Sequence, residues 1–105
     1  MNYLLQTSEC NGFYNNPFKH GGKALRYTPW KTVALIPGDT PLPNVMEVFK
    51  AAHDRRDKTK LARYHVVLDG VTVIKPNGKV YVRKSDEYGT FIQCIGCVPG
   101  MEHEI

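Results

Sequence analysis

Long apolar runs are missing from this chain of 105 residues. The longest apolar stretches, residues 33–36 and 66–68, are far shorter than the roughly 20 residues that a membrane-spanning helix needs. The first six residues also lack the basic segment followed by an apolar one that marks a secretory signal. We therefore expect no membrane contact and a cytoplasmic location.

Cysteine is scarce, and its count is odd. Cys10, Cys94 and Cys97 have no spacing that suggests a disulfide framework, which agrees with a reducing compartment. Catalytic signatures are missing as well, since the chain has no Ser-His-Asp motif, nucleophile elbow, HExxH sequence or paired carboxylates. A binding protein is therefore a simpler interpretation than an enzyme.

The composition is that of an ordinary globular protein. Hydrophobic residues make up 42% of the chain and charged residues 23%, which excludes a disordered or collagen-like polymer. A chain of this length is expected to form a single domain, residues 1–105, that buries about two-thirds of the surface exposed by the unfolded chain.

Positive charge is concentrated in one part of the chain. The formal net charge is +4, yet residues 85–105 contain no Lys or Arg. Between residues 50 and 63, only Asp54 and Asp57 oppose a group of cations. This pattern predicts a positive surface for an anionic partner, with an ordinary solvated face as the alternative. The cations are Lys50, Arg55, Arg56, Lys58, Lys60 and Arg63.

One stretch, residues 40–64, contains the periodicity of an amphipathic helix. Its apolar residues recur at i, i+3, i+4 and i+7, so they share one helix face. Asn44 and Glu47 have the spacing of a capping box at the helix start. The pattern fails beyond Arg56, so we expect the helix to end near Asp57. The apolar residues are Val45, Val48, Phe49 and Ala52.

Strand signals occupy much of the remaining chain. Residues 32–36 are β-branched or aliphatic and predict a buried strand. Asp69-Gly70, between two β-branched runs, predicts a type I′ hairpin within a series of short turns. The result is a predicted α+β fold, with one main helix on an antiparallel β-meander and residues 32–36 at its edge or between its strands. The predicted meander strands are residues 64–68, 71–75, 79–83 and 90–95.

Both ends of the chain are predicted to be less regular. Residues 7–23 are rich in Asn, Gly and Pro and predict a long irregular loop, flanked by possible short strands at 3–5 and 24–28. Within that loop, residues 19–23 (KHGGK) have the composition of a phosphate-binding turn but not the Walker spacing. Residues 98–105 predict a frayed acidic tail.

A second candidate surface lies on the predicted strand 79–83. Lys79, Tyr81 and Arg83 alternate with valines and should share one face, with Lys75 close by across the hairpin. An aromatic ring flanked by cations can stack a base and hold phosphates. The alternative is a solvated sheet face without a ligand.

Metal binding has weaker support. Cys94-x-x-Cys97 followed by His103 supplies half of a zinc site, and Cys10 and His20 would complete it only if the N-terminal loop folded against the C-terminus. We expect no metal and no other cofactor.

Acid–base chemistry also has weaker support. His53, Asp54, His65 and Asp69, with the neighbouring arginines, could serve a metal-independent ribonuclease as a base and phosphate ligands. Nothing in their spacing requires them to converge. We expect the histidines to be exposed to solvent instead.

Together these patterns favour a small, basic, non-catalytic binding module, in the style of a phage accessory or inhibitor protein, that engages nucleic acid or the acidic surface of another protein. The alternatives are a small ribonuclease of toxin type, and a small-nucleotide-binding protein that uses residues 19–23 and Tyr81. The predicted binding residues are Arg55, Arg56, Lys58, Lys60, Arg63, Lys79, Tyr81 and Arg83.

Overall fold

The computed structural model describes residues 1–15 and 23–102, which form one α-helix and eight strands. The helix, α1, spans Leu42–Asp54. Within the described ranges, no helix is both long and apolar enough to cross a membrane. The strands are β1 (Asn2–Ser8), β2 (Cys10–Asn15), β3 (Lys23–Tyr27), β4 (Lys31–Pro37), β5 (Arg63–Leu68), β6 (Val71–Ile74), β7 (Lys79–Asp86) and β8 (Gly89–Cys97).

Six strands form one antiparallel sheet in the order β4-β1-β5-β6-β7-β8, and β2 and β3 pair in a separate small sheet. β1 lies between β4 and β5 and pairs with both. The helix connects β4 to β5 and packs on one face of the sheet. The predicted α+β fold, with one helix on an antiparallel sheet that includes the meander β5 to β8, is therefore confirmed.

The hydrophobic core lies between α1 and that face of the sheet. Val45 and Phe49 of the helix are completely buried, as are Val66, Ile74 and Val80 of β5, β6 and β7. Burying a side chain of this size stabilises the fold by about 1.5–3 kcal/mol relative to leaving it exposed. The helix is thus attached chiefly to the central strands.

The buried face of α1 is rotated from the predicted one. Val45 and Phe49 are buried as predicted, but Val48 is 40% exposed whereas His53 is only 7% exposed. The buried row is Val45, Phe49 and His53, which repeats every four residues along the helix. The third residue of the buried row is a histidine. A search for apolar residues alone therefore selects the neighbouring row, which contains Val48.

The start of α1 does not use the predicted capping box. Pro41 occupies the N-cap position, and no side chain caps the helix. The Pro41 carbonyl accepts the amide of Asn44 at 2.9 Å, so Asn44 already lies inside the first turn. The predicted capping box of Asn44 and Glu47 is wrong because Pro41 and Pro43 set the helix start before Asn44.

The helix also ends earlier than predicted, at Asp54 rather than near Asp57. The Asp57 side chain accepts the Thr59 amide at 2.9 Å and opens a short 3-10 turn, Lys58–Lys60. A carboxylate that bonds the backbone two residues later competes with helix continuation. Leu61 then adopts a left-handed conformation (φ 51°) and leads the chain into β5.

β4 is an edge strand and not the buried strand that its composition predicts. Ile36 is buried, but Val33 and Leu35 are about half exposed or more. Because side chains alternate along a strand, Val33 and Leu35 lie on the face of β4 away from the helix, where few residues cover them. An apolar run therefore does not distinguish this edge strand from an interior one.

Residues 7–23 are not one long irregular loop. β1 continues to Ser8, and β2 and β3 pair from Cys10↔Tyr27 to Asn15↔Lys23. The pairing register shifts between Cys10 and Phe13, where Gly12 has a φ of 127°. This irregularity hides the two-residue period from sequence analysis. Residues 16–22, which include His20 and most of the KHGGK turn, lie outside the described residues.

The C-terminal segment is anchored and does not fray from residue 98. Val98 and Met101 are buried, and the Val98 amide donates to the Gly78 carbonyl at 2.8 Å. A Cβ at Gly78 would lie 2.8 Å from the Cβ of Met101, so the two segments pack closely. Residues 98–101 therefore form a second apolar layer beside α1, while residues 103–105 lie outside the described part.

The first turn of the meander matches its sequence signal. Asp69 and Gly70 both have positive φ values (52° and 75°), as a type I′ hairpin requires, which confirms that prediction. β7 and β8 are longer than predicted and continue to Asp86 and Gly89. Their outer part projects beyond the region that the helix covers, and residues 83–96 are all exposed.

Phe49→Ala should reduce the free energy of unfolding by about 3–5 kcal/mol, because it removes a completely buried ring. Val48→Ala on the same helix is the control, and its effect should be far smaller, about 0.5–1 kcal/mol, because Val48 is 40% exposed whereas Phe49 is completely buried. Urea unfolding of both variants measures the difference. Equal losses would contradict the helix orientation.

Met101→Ala should cost about 2–5 kcal/mol, as expected for a buried methionine. Glu47→Ala, at an exposed position of α1, serves as the control, because the Glu102 side chain accepts the Gly100 amide and belongs to the segment under test. If chemical denaturation shows no difference between the two variants, residues 98–101 are not part of the core.

Candidate functional site

The eight predicted binding residues fall into two groups, one that leads into β5 and one along β7, which β6 separates from β5. Arg63 is the first residue of β5, whereas Arg83 contacts Asp69, which follows the last residue of β5. Six residues at about 3.3 Å each separate Arg63 from Arg83 by roughly 20 Å along the strand, while Lys79 lies nearer the Arg63 end because its neighbour Val80 is level with Ile74 and Val66. We define residues 55–63 as the basic segment and Lys79, Tyr81 and Arg83 as the β7 patch.

The β7 patch is largely occupied by contacts within the protein. Lys75 lies across the hairpin with its Nζ 4.7 Å from the Tyr81 ring centroid, which confirms the predicted neighbour. Arg83 forms an exposed ion pair of 3.5 Å with Asp69. A cleft of 280 Å³ beside Tyr81 has mainly apolar walls and includes Asp69. A phosphate there would meet the Asp69 carboxylate, and Arg83 would have to leave its ion pair with Asp69 to bind it.

The basic segment begins with two arginines that bond to the end of α1. Arg55 Nε donates to the Ala51 carbonyl at 3.2 Å. Arg56 Nη1 donates to the His53 carbonyl at 2.8 Å and lies 3.0 Å from His53 Nε2. Arg56 therefore holds the helix end together, and replacing it would disturb the fold as well as the surface charge.

The 3-10 turn presents Lys58 and Lys60 to solvent. Asp57 is exposed, and its carboxylate bonds to Thr59 within the turn; that side-chain hydrogen bond, with a smaller contribution from the charge of Lys60, lowers the pKa of Asp57. Among the described residues, no carboxylate lies within ion-pair distance of either lysine. These two cations are thus the most available ones in the basic segment.

A cleft of 330 Å³ opens beside this turn. It lies between β3 and the basic segment, and none of the described residues that line it is acidic. The exposed Leu61 supplies an apolar wall. The lining residues are Tyr27, Arg56, Lys58, Leu61 and Ala62.

Arg63 stands behind the cleft in an aromatic cluster that sequence analysis missed. Its guanidinium carbon lies 3.9 Å from the Tyr27 ring centroid and 4.7 Å from that of Trp30. Arg63 Nε is buried and has no hydrogen-bond partner in the described structure. The aromatic pair lies more than thirty positions earlier, so only the β1–β5 pairing brings the residues together. In the sequence, the only indication of this cluster is that two aromatic residues, Tyr27 and Trp30, lie three positions apart.

His65 continues this cluster into the sheet. Its ring stacks on Trp30 with centroids 3.6 Å apart and an interplanar angle of 13°. His65 Nε2 lies 2.7 Å from Gln6 Oε1, and because an amide oxygen only accepts, Nε2 carries the proton. Burial, followed by the charge of Arg63, lowers the pKa of His65. The neutral ring is therefore a structural element.

The structure does not bring the histidines together as a catalytic pair, and the prediction that they are exposed is wrong. His53 is buried against Phe49 at a centroid distance of 6.1 Å and contacts Arg56, while His65 is held by Trp30 and Gln6. Each imidazole ring packs against an aromatic ring and is buried by that contact. Neither lines the 330 Å³ cleft.

The cysteines occupy separate parts of the fold. Cys94 and Cys97 lie on β8, and Cys10 lies on β2 of the small sheet. No group of three or more potential metal ligands occurs within residues 1–15 and 23–102. His20 and His103, which the zinc hypothesis also requires, fall outside those ranges.

His65→Gln should make stability less dependent on pH between about 7.5 and about 5.5. The folded-state pKa of His65 lies below its ordinary value of 6.5, so the unfolded chain binds the proton first as pH falls. Stability from the neutral ring is complete above about pH 6.5 and is lost below it. Urea unfolding at both pH values should show a larger loss for the wild type. Equal losses would contradict this role of His65.

Comparison with known proteins finds no matching family model, no matching curated protein and no matching solved structure.

Proposed function

We propose that this protein is a non-catalytic module that binds the phosphate backbone of nucleic acid at the cleft beside the basic segment. The observation that carries the proposal is the make-up of this cleft. Arg56, Lys58 and Tyr27 line it, and no acidic side chain is among the described lining residues. Nucleic-acid surfaces combine cations for phosphates with aromatic or apolar groups for sugars and bases.

The geometry of the turn supports phosphate contacts. Lys58 and Lys60 are exposed at either end of one 3-10 turn, about 4 Å apart along its axis at about 2 Å per residue. Their flexible side chains can reach neighbouring phosphates without breaking an existing ion pair. Leu61 adds an apolar surface at the same place, which suits a sugar or an unstacked base.

The packing of Tyr27 supports a defined site and not merely a diffuse charge. Arg63 covers the Tyr27 ring at 3.9 Å and fixes it beside the turn. The guanidinium also adds positive potential behind the cleft. Side chains held in place before binding lose less conformational freedom when a ligand arrives.

A ribonuclease receives less support than binding. General acid–base catalysis needs a titratable group within hydrogen-bond reach of the substrate. The two described histidines are buried in packing contacts and neither lines this cleft. The cleft residues can hold a phosphate, but the described side chains that line it include no histidine and no carboxylate.

Combining Lys58→Ala with Lys60→Ala should weaken binding to single-stranded oligonucleotides and reduce its salt dependence. Each lost phosphate contact lowers the slope of log K against log salt by about 0.7 on single strands, so the pair should lower it by about 1.4. Fluorescence anisotropy over a salt series measures the slope. The matched control combines Lys79→Ala with Arg83→Ala, which removes two cations from the β7 patch.

The outcomes separate the candidate surfaces. A larger loss in the control pair would move the interface to the β7 patch and reject the cleft. Failure of the wild type to bind single strands or duplex at low salt would reject nucleic acid as the partner. Slower association with an acidic protein when both lysines are replaced would then favour the protein partner.

A further inference from the structure

The outer edge of β8 is the longest unpaired strand edge in the described structure. β8 spans nine residues and pairs with β7 on one side, and within residues 1–15 and 23–102 no strand lies on its other side. An unpaired edge presents a row of backbone donors and acceptors that can pair with another strand. Both faces of this part of the sheet are exposed as well.

β8 lacks two of the features that normally protect an edge, charge and proline, although it contains one bulge at Ile95. Residues 89–97 contain no charged residue and no proline. Phe91, Ile92 and Ile95 are each between about two-fifths and one-half exposed. The opposite edge, β4, differs because it begins at Lys31 and ends at Pro37, both of which disfavour strand addition. The two edges are therefore not equivalent.

We propose that β8 is a self-association edge, at which a second copy of this chain adds its own β8 in antiparallel orientation about Gln93. Two six-stranded sheets then join into one continuous sheet through a two-fold axis. Two-fold dimers are the most frequent closed assemblies, and antiparallel pairing of a strand with itself satisfies this symmetry. The backbone supplies the attraction, and the side chains select the register.

The sequence of β8 favours the register centred on Gln93. That register places Phe91 opposite Ile95 of the second copy, and Ile92 opposite Cys94 of the second copy. Aromatic and β-branched residues form favourable cross-strand pairs. Moving the centre by one residue to Ile92 would place Phe91 opposite Gln93 and lose this match. The described bulge in the β7–β8 pairing lies at Ile95, near the end of the paired region.

Charges beyond β8 are also compatible with this arrangement. The hairpin tip contains Asp86 and Glu87, and in the Gln93 register Gly89 lies opposite Cys97 of the second copy. Cys97 pairs with Lys79 in β7, so Lys79 of the second copy is two strand spacings, about 10 Å, from Gly89. Asp86 pairs with Gly89 on its other side and is one strand spacing further away, about 15 Å from that lysine, so this pair of charges contributes little to the association.

The first experiment compares molecular mass at rising protein concentration for the wild type and for Gln93→Lys. Sedimentation equilibrium should show a monomer–dimer equilibrium for the wild type. Gln93→Lys places two like charges opposite each other and should weaken the dimer about fivefold. Val33→Lys, the same type of change on β4, is the matched control and should leave the dimer intact. Circular dichroism verifies that each variant is folded.

The second experiment tests the register by disulfide formation in a Cys94→Ser background. In that register, the two Gln93 positions have Cα atoms about 4.5–5.5 Å apart, which lies within the range for a disulfide. Gln93→Cys should therefore form a reducible covalent dimer under mild oxidation, whereas Val33→Cys should not.

Three results would overturn the proposal. The first is a wild-type mass that remains monomeric up to the solubility limit. The second is a dimer that persists in Gln93→Lys but is lost in Val33→Lys, which would move the interface to β4. The third is open-ended growth in place of a dimer, which would indicate head-to-tail addition of β4 to β8.

Discussion

An α-helix is about 10 Å wide and neighbouring strands lie about 4.8 Å apart, so one helix can cover about two strands of a sheet. This protein has a single described helix for six strands. Phe49 and Val45 of the helix cover the central strands. Val98 and Met101, from the segment after β8, extend the same apolar core beside the helix. The need for that second layer explains why the chain after β8 is anchored.

The opposite face of the sheet has no described helix to cover it. A cluster of aromatic rings and a cation covers part of it instead. Trp30 stacks on His65, and Arg63 lies against both Trp30 and Tyr27. A cation stacked on aromatic rings can be held close to a protein interior because the ring faces carry negative potential. The contact that closes this face also fixes Tyr27 beside Lys58. Stability and the candidate interface therefore depend on the same cluster.

The sequence is informative where the relevant interactions are local. The Asp69-Gly70 turn and the neighbour pair of Lys75 and Tyr81 could be predicted because each depends on residues a few positions apart. The burial of His53 could not be predicted, because it depends on the sheet behind the helix. The pairing of β2 with β3 could not be predicted either, because a bulge interrupts its alternating pattern. Lys58 and Lys60 of the candidate site were among the residues predicted from the sequence, whereas Tyr27 was not, because it lies beside them only through the pairing of distant strands.

The uncovered end of the sheet connects the two proposals. β8 is separated from β5 by β6 and β7, so a pair formed through β8 edges leaves the cleft beside Lys58 accessible in each copy. Two linked clefts on one nucleic-acid strand would convert the second binding event into an intramolecular one. A modest number of cations in each copy could then support stable binding, provided that the strand is long enough to reach both clefts. Binding to short oligonucleotides would depend on a single cleft and would be insensitive to the β8 edge.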